Sequence, residues 1–225
     1  MTRAFPRSAV AAELEAGLGA MGLGIAPVQR ESLVTYLGLL HRWNAAFNLS
    51  AVRDPLAMVT RHVLDSLVLL PWLGEEQRVV DVGSGAGLPG IPLALVRPDL
   101  RVTLVDSQGK KLRFLRHVRG ELALDRVAVV GARMENWSPD ECFDTVTARA
   151  CTRLDRLVSQ VGHLVADSGC ILAMKGRFDA AAETAELPSG WHYHGTPVAV
   201  PGLEAERSVV RVDRSGSVST GERHG

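Results

Sequence analysis

The spacing of apolar residues changes rhythm along this chain. Leu33, Leu37, Leu40 and Phe47 recur at helical intervals, with Asn44 in the same series and Tyr36 and Trp43 alongside. That period places them on one face of a helix. Asn48-Leu49-Ser50 interrupts it. Asp54 then offers a side-chain oxygen to the first free amides of a second helix, and Pro55 suits the opening turn because it has no amide to leave unpaired. Leu56, Val59, Val63, Leu67 and Leu70 share one side of that helix, and Pro71 is expected to end it.

From residue 78 onward, short apolar runs take over. Strands are expected at 78–83, 101–106, 126–131, 143–150 and 169–176, with helices at 87–98, 110–122 and 152–168 between them. Strands apolar on both faces that alternate with helices indicate a mostly parallel sheet covered on both sides, an α/β fold of Rossmann-like type. Residues 191–202 and 207–213 read as a closing antiparallel pair. The division expected is an N-terminal helical cap over 1–73, a core over 74–213 that forms one compact unit with the cap, and a polar Gly/Ser-rich tail over 214–225, expected to be disordered.

Composition narrows this only slightly. Apolar residues make up 46% of the 225 and charged residues 22%, with a formal net charge of zero. Such a chain can bury a real core, but has no global field for a polyanion, so any nucleic-acid contact must use a local basic face. The three cysteines, Cys142, Cys151 and Cys170, form no C-x-x-C pair, and His163, His192 and His194 lack metal-ligand spacing, so neither a disulfide framework nor a metal is expected. No apolar run approaches the length of a membrane span. A soluble, monomeric cytoplasmic protein is the expectation.

The most informative stretch is Asp81-Val-Gly-Ser-Gly-Ala-Gly-Leu-Pro-Gly90, set between a strand and a helix. Glycines at such a turn let a ligand approach the main chain. Gly83, Gly85 and Gly87 give G-x-G-x-G rather than the G-x-G-x-x-G of dinucleotide sites, and no Lys-Ser or Lys-Thr follows, which excludes a phosphate P-loop. Asp81 beside the loop would repel a pyrophosphate and tolerate a cationic ligand. Asp106 ends the second strand, where a carboxylate can accept hydrogen bonds from both ribose hydroxyls. S-adenosylmethionine, a nucleoside with a sulfonium, an ammonium and one carboxylate, fits these residues better than a nicotinamide dinucleotide. A purely structural turn and a nicotinamide oxidoreductase are the competing readings.

The acceptor is harder to read. No Asn/Asp-Pro-Pro-Tyr stretch marks an amino-group methylase. Cys151 follows alanine rather than the proline usual for a carbon-five pyrimidine methylase, and reads as a small buried hydrophobe. Guanine N7 has a lone pair and no proton to remove, so its methylation needs alignment rather than a base. The cationic purine that results could be stabilised by a nearby carboxylate.

The segments LHRWNAAFNLSAVRD, RHVLDSL, DVGSGAGLPGIPLALVRPD, LVDSQGKKLRFLRHV and AMKG occur in this order. Together they resemble the bacterial 16S ribosomal RNA guanine-N7 methyltransferases, over roughly residues 30 to 213. The resemblance implies a class I methyltransferase core with a helical cap, S-adenosylmethionine as donor, and a guanine near the decoding site of the small ribosomal subunit as acceptor. It places Gly83 and Leu88 in the cofactor motif, Asp106 at the ribose, and Met134 and Glu135 beside the adenine. Arg149 falls on the cofactor or acceptor side, as a positioning group. Gln108, the stretch after Arg149, and Ser208 depart from the family pattern.

Residues 109–120 hold Lys110, Lys111, Arg113, Arg116 and Arg119, while Leu112, Leu115 and Val118 face inward. The basic groups could pair with phosphates or form a solvated face. The resemblance favours RNA contact for Lys110 and Lys111. Arg61, His62, Asp65 and Ser66 share one side of the second helix. They could seat RNA, or Arg61 and Asp65 could form a local ion pair. Asn44 and Asn48 could cap helix ends. Lys175 could touch RNA or reach out from the sheet edge. The partner expected is 16S rRNA or the 30S subunit. A small-molecule methyltransferase and a non-catalytic ribosome-assembly factor are the alternatives.

Overall fold

The computed structural model describes residues 4–149 and 152–215; Cys151 and nearly all of the expected tail lie outside them. Helix α1 (Arg7–Ala20) comes first, within the stretch where a helical cap is expected. Its signal is the series Val10, Leu14, Gly17 and Leu18, all buried. Helix α2 (Pro27–Phe47) opens with proline in its first turn and with the Gln29 side chain accepting the Ala26 amide at 3.1 Å. It ends at Asn48, which takes a left-handed φ of 49°. Leu33, Tyr36, Leu37, Leu40 and Asn44 are buried as the spacing requires, while Phe47 is only partly covered.

Asp54 caps the next helix through the Ala57 amide at 2.9 Å. The segment beyond this cap is not one regular helix. After α3 (Pro55–Met58), residues Val59–Leu64 wind as a π-helix before α4 (Asp65–Leu67). The wider turn changes which residues stack. Val59, Val63 and Leu67 stay buried, but Leu56 is exposed rather than part of the apolar face. Thr60, His62, Asp65 and Ser66 are buried as well, so polar groups of this segment enter the interior.

The strands are β1 (Arg78–Val82), β2 (Arg101–Asp106), β3 (Val127–Gly131), β4 (Phe143–Arg149), β5 (Val165–Lys175), β6 (Trp191–Pro197) and β7 (Ser208–Arg214). They form one sheet in the order β3-β2-β1-β4-β5-β7-β6. The first five are parallel, and β7 runs antiparallel to both β5 and β6. This is the mostly parallel sheet expected, closed by the antiparallel pair. Helices α5 (Gly90–Val96), α6 (Gly109–Glu121), α7 (Leu154–Val161) and the short α8 (Ala180–Glu183) complete the fold. The helix expected over 152–168 is shorter, because β5 already begins at Val165. Gly169 explains the early strand. A side chain there would stand 2.7 Å from the Phe143 carbonyl oxygen, so bare backbone lets β5 lie against β4.

Two apolar layers flank the sheet, and the period-two alternation of the strands sorts residues between them. Val79, Leu104 and Leu172 join a cluster that runs through α1, α2, the π-helix, α5 and α6. Val80, Val105 and Ile171 join a second cluster with Leu154, Leu157 and Val161 of α7. The N-terminal helices therefore share a continuous core with one face of the sheet. Gly17 lets α1 lie close against the π-helix, since a Cβ there would fall 2.3 Å from Leu64.

Two polar contacts pin α2 to the sheet connections. Gln29 Nε2 donates to the Val96 carbonyl at the end of α5 at 2.9 Å. The fully buried Tyr36 hydroxyl donates to the Ala86 carbonyl in the β1–α5 loop at 2.8 Å. Removing that hydroxyl strands a buried acceptor, which costs about 1–3 kcal/mol. Tyr36→Phe is expected to lower the urea midpoint accordingly, with an unchanged m-value, in equilibrium unfolding followed by circular dichroism.

Candidate active site

The β1–α5 loop turns on three glycines in the left-handed region, with φ of 67° at Gly83, 59° at Gly85 and 87° at Gly87. Their reasons differ. A Cβ on Gly87 would lie 2.5 Å from Ile91 Cγ1, so this glycine serves packing. A Cβ on Gly83 would meet nothing within 4 Å, and one on Gly85 would meet nothing closer than 3.7 Å. Above Gly83 and Gly85 the backbone is open to a ligand. Leu88 is buried and lines the larger of two cavities that meet at this loop.

Two strand-end carboxylates hold the loop by its amides. Asp106 Oδ2 accepts from Gly85 N at 2.9 Å, and its Oδ1 accepts from Gln108 N at 2.9 Å. Asp81 Oδ2 accepts from Gly90 N at 3.1 Å. Asp81 is completely buried beneath the loop and lines neither cavity, and its Oδ1 has no partner. Burial pushes its carboxyl up to about 7, against smaller lowering by the Gly90 amide and Ser84. The direct electrostatic welcome for a cationic ligand therefore narrows to Asp106.

The smaller cavity, about 290 Å³, is lined by Gly83, Asp106, Gln108, Lys111, Met134 and Glu135, among others. Lys111 Nζ lies 3.5 Å from Asp106 Oδ2, which places this lysine inside the cavity. Lys110 lines neither cavity. The chamber has an open glycine cradle at one end, a carboxylate midway and the Met134–Glu135 turn at the other. That arrangement fits an adenosine unit, and S-adenosylmethionine in particular.

The larger cavity, about 460 Å³, lies on the other side of Gly83. Leu49, Val52, Leu88 and Met174 give it apolar walls, and Arg61, His62, Asp65, Arg149, Lys175 and Arg207 give it polar ones. Asn44 fixes one wall, since its Nδ2 donates to the Val52 carbonyl at 3.0 Å and its Oδ1 accepts Ser50 N at 2.8 Å. Lys175 is buried. Its ammonium donates to the Thr152 carbonyl at 2.6 Å and pairs with Glu183 at 2.6 Å.

Both ring nitrogens of the buried His62 are engaged, Nδ1 with the Arg61 carbonyl at 2.9 Å and Nε2 with Ser50 Oγ at 2.8 Å. The carbonyl can only accept, so Nδ1 carries the proton and Nε2 accepts from the serine. Burial, then the nearby Arg149 charge, lowers the His62 pKa to about 4. The imidazole is neutral at physiological pH.

Asp65 does not take Arg61 as an ion-pair partner at i−4; the π-helical turn breaks the α-helical stacking such a pair needs. Its carboxylate instead holds Arg149 Nη1 at 3.4 Å and Arg207 Nε at 2.9 Å. Arg149 Nη1 also donates to the Arg61 carbonyl at 2.9 Å. Among the described residues, no group of histidine, cysteine or acidic side chains is arranged to hold a metal, and no helix is long and apolar enough to cross a membrane.

The model of the GidB family, described as rRNA small subunit methyltransferase G, matches residues 29–210. The chain belongs to this family. The ribosomal RNA small subunit methyltransferase G of Marinobacter nauticus is 46% identical over 213 residues, covering 94% of this chain and 96% of that protein. Its counterpart in Stenotrophomonas maltophilia is 48% identical over 206 residues, covering 91% and 95%. The fold likeness reaches further. The glycopeptide N-methyltransferase MtfA, solved with S-adenosyl-L-methionine, superposes with a TM-score of 0.56 at 14% identity, covering 68% of this chain and 94% of that one.

Within this member of the GidB family, sequence reasoning named Arg61, His62, Arg149 and Lys175, and the fold gathers them around one cavity. It left Tyr36 and Arg207 without a site role, and it read Asp65 as part of the polar strip that could seat RNA rather than as the common partner of two arginines. Spacing carries no sign of the Asp65–Arg207 pair, which joins positions 142 apart.

The pH behaviour of Asp81 tests the loop anchor. Its folded pKa is raised from the ordinary value, so the folded state holds this proton more tightly than the unfolded chain. The stabilisation is complete below about pH 4 and is lost as pH rises through about 7. The stability gap between wild type and Asp81→Asn is therefore expected to move in the variant's favour from pH 4 to 7. The slope should be on the order of 1 kcal/mol per pH unit, read from urea titrations at each pH.

Proposed function

We propose that this protein methylates N7 of a guanine in 16S rRNA, with S-adenosylmethionine as methyl donor. One observation carries the choice of acceptor atom. The larger cavity is lined by two groups of the types that most often serve as a general base, and neither is free. His62 has both nitrogens committed and stays neutral, and Asp65 has both oxygens tied to arginines. A hydroxyl or amino acceptor would need a group to take its proton as the new bond forms. Guanine N7 brings a free lone pair and sheds no proton, so alignment and exclusion of water suffice.

The donor reading rests on the smaller cavity. Asp106 would accept from the ribose hydroxyls, Met134 and Glu135 would flank the adenine, and the open backbone at Gly83 and Gly85 would admit the methionyl end. Gly87, Leu88 and Asp81 would hold the loop in shape beneath it. When bound, the cofactor supplies an activated methyl group on a sulfonium. The chain's own residues orient it toward the larger cavity, where Leu49, Val52 and Met174 would cover the faces of a base and keep water away. Arg149, at the junction, would position the acceptor. Arg61 and Lys110 would meet RNA phosphates, whereas Lys111, paired with Asp106 in the smaller cavity, would face the donor instead. His62 and Lys175 would shape the acceptor wall, since their polar atoms are already paired. The name of the relatives, a ribosomal RNA small subunit methyltransferase, supports rRNA as the substrate class. Action in the cytoplasm as a monomer, with the helical cap over 1–73 seated on the core over 74–213, completes the proposal.

Nucleoside mapping of 16S rRNA tests the acceptor. Cells lacking the gene should lose one N7-methylguanine, and the purified protein should restore it; an unchanged N7 site would sink the assignment. Asp106→Asn tests the donor. Losing a charge-assisted acceptor costs about 1.5–3 kcal/mol, so calorimetry is expected to show cofactor affinity weakened by roughly ten- to a hundredfold.

A further inference from the structure

We infer that Arg207 and Arg149, held together on Asp65, form a two-pronged clamp for a phosphodiester of the acceptor strand. The inference rests on the RNA reading above and adds to it a phosphate subsite with a positioning carboxylate.

The clamp is built from three distant parts of the chain. Arg149 ends β4, Arg207 immediately precedes β7, and Asp65 follows the π-helical turn. Arg207 spends Nε on Asp65 Oδ1 at 2.9 Å and Nη1 on the Glu206 carbonyl at 2.9 Å. Arg149 uses Nη1 for the Arg61 carbonyl and Asp65 Oδ2. Among the described residues, Nη2 of Arg207 and both Nε and Nη2 of Arg149 have no partner. Both side chains are about a quarter exposed, whereas Asp65 is buried. Two guanidiniums on one carboxylate leave a surplus of one positive charge, with unused donors, on the wall of the larger cavity.

The other polar residues of that wall sharpen the picture. Lys175 is neutralised by Glu183, and His62 is neutral. Arg61 is exposed at the same cavity, and Asp65 is its one lining carboxylate among the described residues. The lobe is therefore electropositive beside apolar walls. An anion flanking an aromatic ring is what such a lobe would take, and a guanidinium fork matches phosphate geometry. A nucleotide within a strand has both parts. A cationic or neutral small acceptor would leave the charge unanswered.

Asp65 is a positioning residue here, and its charge makes the idea testable. If only net attraction mattered, Asp65→Asn would strengthen RNA binding by removing a negative charge. The clamp requires the opposite, because the two arginines lose their common anchor. The measurement is KM for whichever of naked 16S rRNA or 30S subunits the wild type methylates, at fixed magnesium across a series of potassium concentrations. Cofactor affinity by calorimetry and thermal melts run beside it.

Arg207→Gln is expected to raise KM several-fold, leave cofactor affinity within about twofold, and flatten the slope of log KM against log salt by roughly 0.7–0.9, the value of one lost phosphate contact. Arg207→Lys should restore most of the slope but less of the affinity. Asp65→Asn should raise KM without flattening the slope. A slope for Arg207→Gln equal to wild type, or tighter RNA binding by a folded Asp65→Asn, overturns the clamp. Should Asp65→Asn fail to fold, Arg207→Gln decides alone. Failure of the wild type to methylate either RNA would instead overturn the functional reading beneath it.

Discussion

The site depends on a pair of strand-end carboxylates that grip one loop by its amides. Asp106 takes Gly85 N and Asp81 takes Gly90 N, so the β1–α5 connection is held at both ends. Tyr36 adds a third tie through the Ala86 carbonyl. A glycine-rich turn is entropically loose by composition; here charged and buried acceptors fix it. The result is a rigid ridge at Gly83 with a chamber on either side. The two cavities meet there because the backbone at that residue carries no side chain to separate them.

The second constraint is the π-helical turn at Val59–Leu64. A regular helix would carry one apolar stripe and leave its polar residues to solvent. The wider turn buries His62 and Asp65 at the larger cavity, with Ser66 Oγ donating to the His62 carbonyl behind them, while Val59, Val63 and Leu67 remain in the core. Burying a carboxylate is costly unless it is paired, and Asp65 meets that cost with two guanidiniums. His62 meets the same demand by staying neutral and engaging both nitrogens. A single local irregularity thus turns a core helix into one wall of the larger cavity.

Much of this was legible in residue spacing, and the exceptions are instructive. The alternating strands, the Asp54 cap and the G-x-G-x-G turn each express a local rule, so a linear reading finds them. The exposure of Leu56 does not follow from the pattern, because the π-turn shifts the stacking and depends on tertiary packing. The early start of β5 depends on Gly169 lying against the backbone of β4, a contact between distant segments. The burial of Asp81 escaped for the same reason: its position beside the glycines is sequential, but whether it points at a ligand or beneath the loop is set by α5. Lys111 read as part of a basic helix face, yet the first turn of α6 carries it over Asp106. Sequence shows which residue types a site has. The sheet order decides which of them face one another.

The last strand enters between β5 and β6, so the sheet is finished by residues near the end of the chain. Arg207 stands just ahead of that strand and reaches back to Asp65. The five parallel strands pair with one another, and the smaller cavity is lined, without any residue of the β6–β7 hairpin. Without the hairpin, β5 would keep an open edge and Asp65 would lack its second guanidinium. One segment thus shields a sheet edge and completes the pairing of a buried carboxylate.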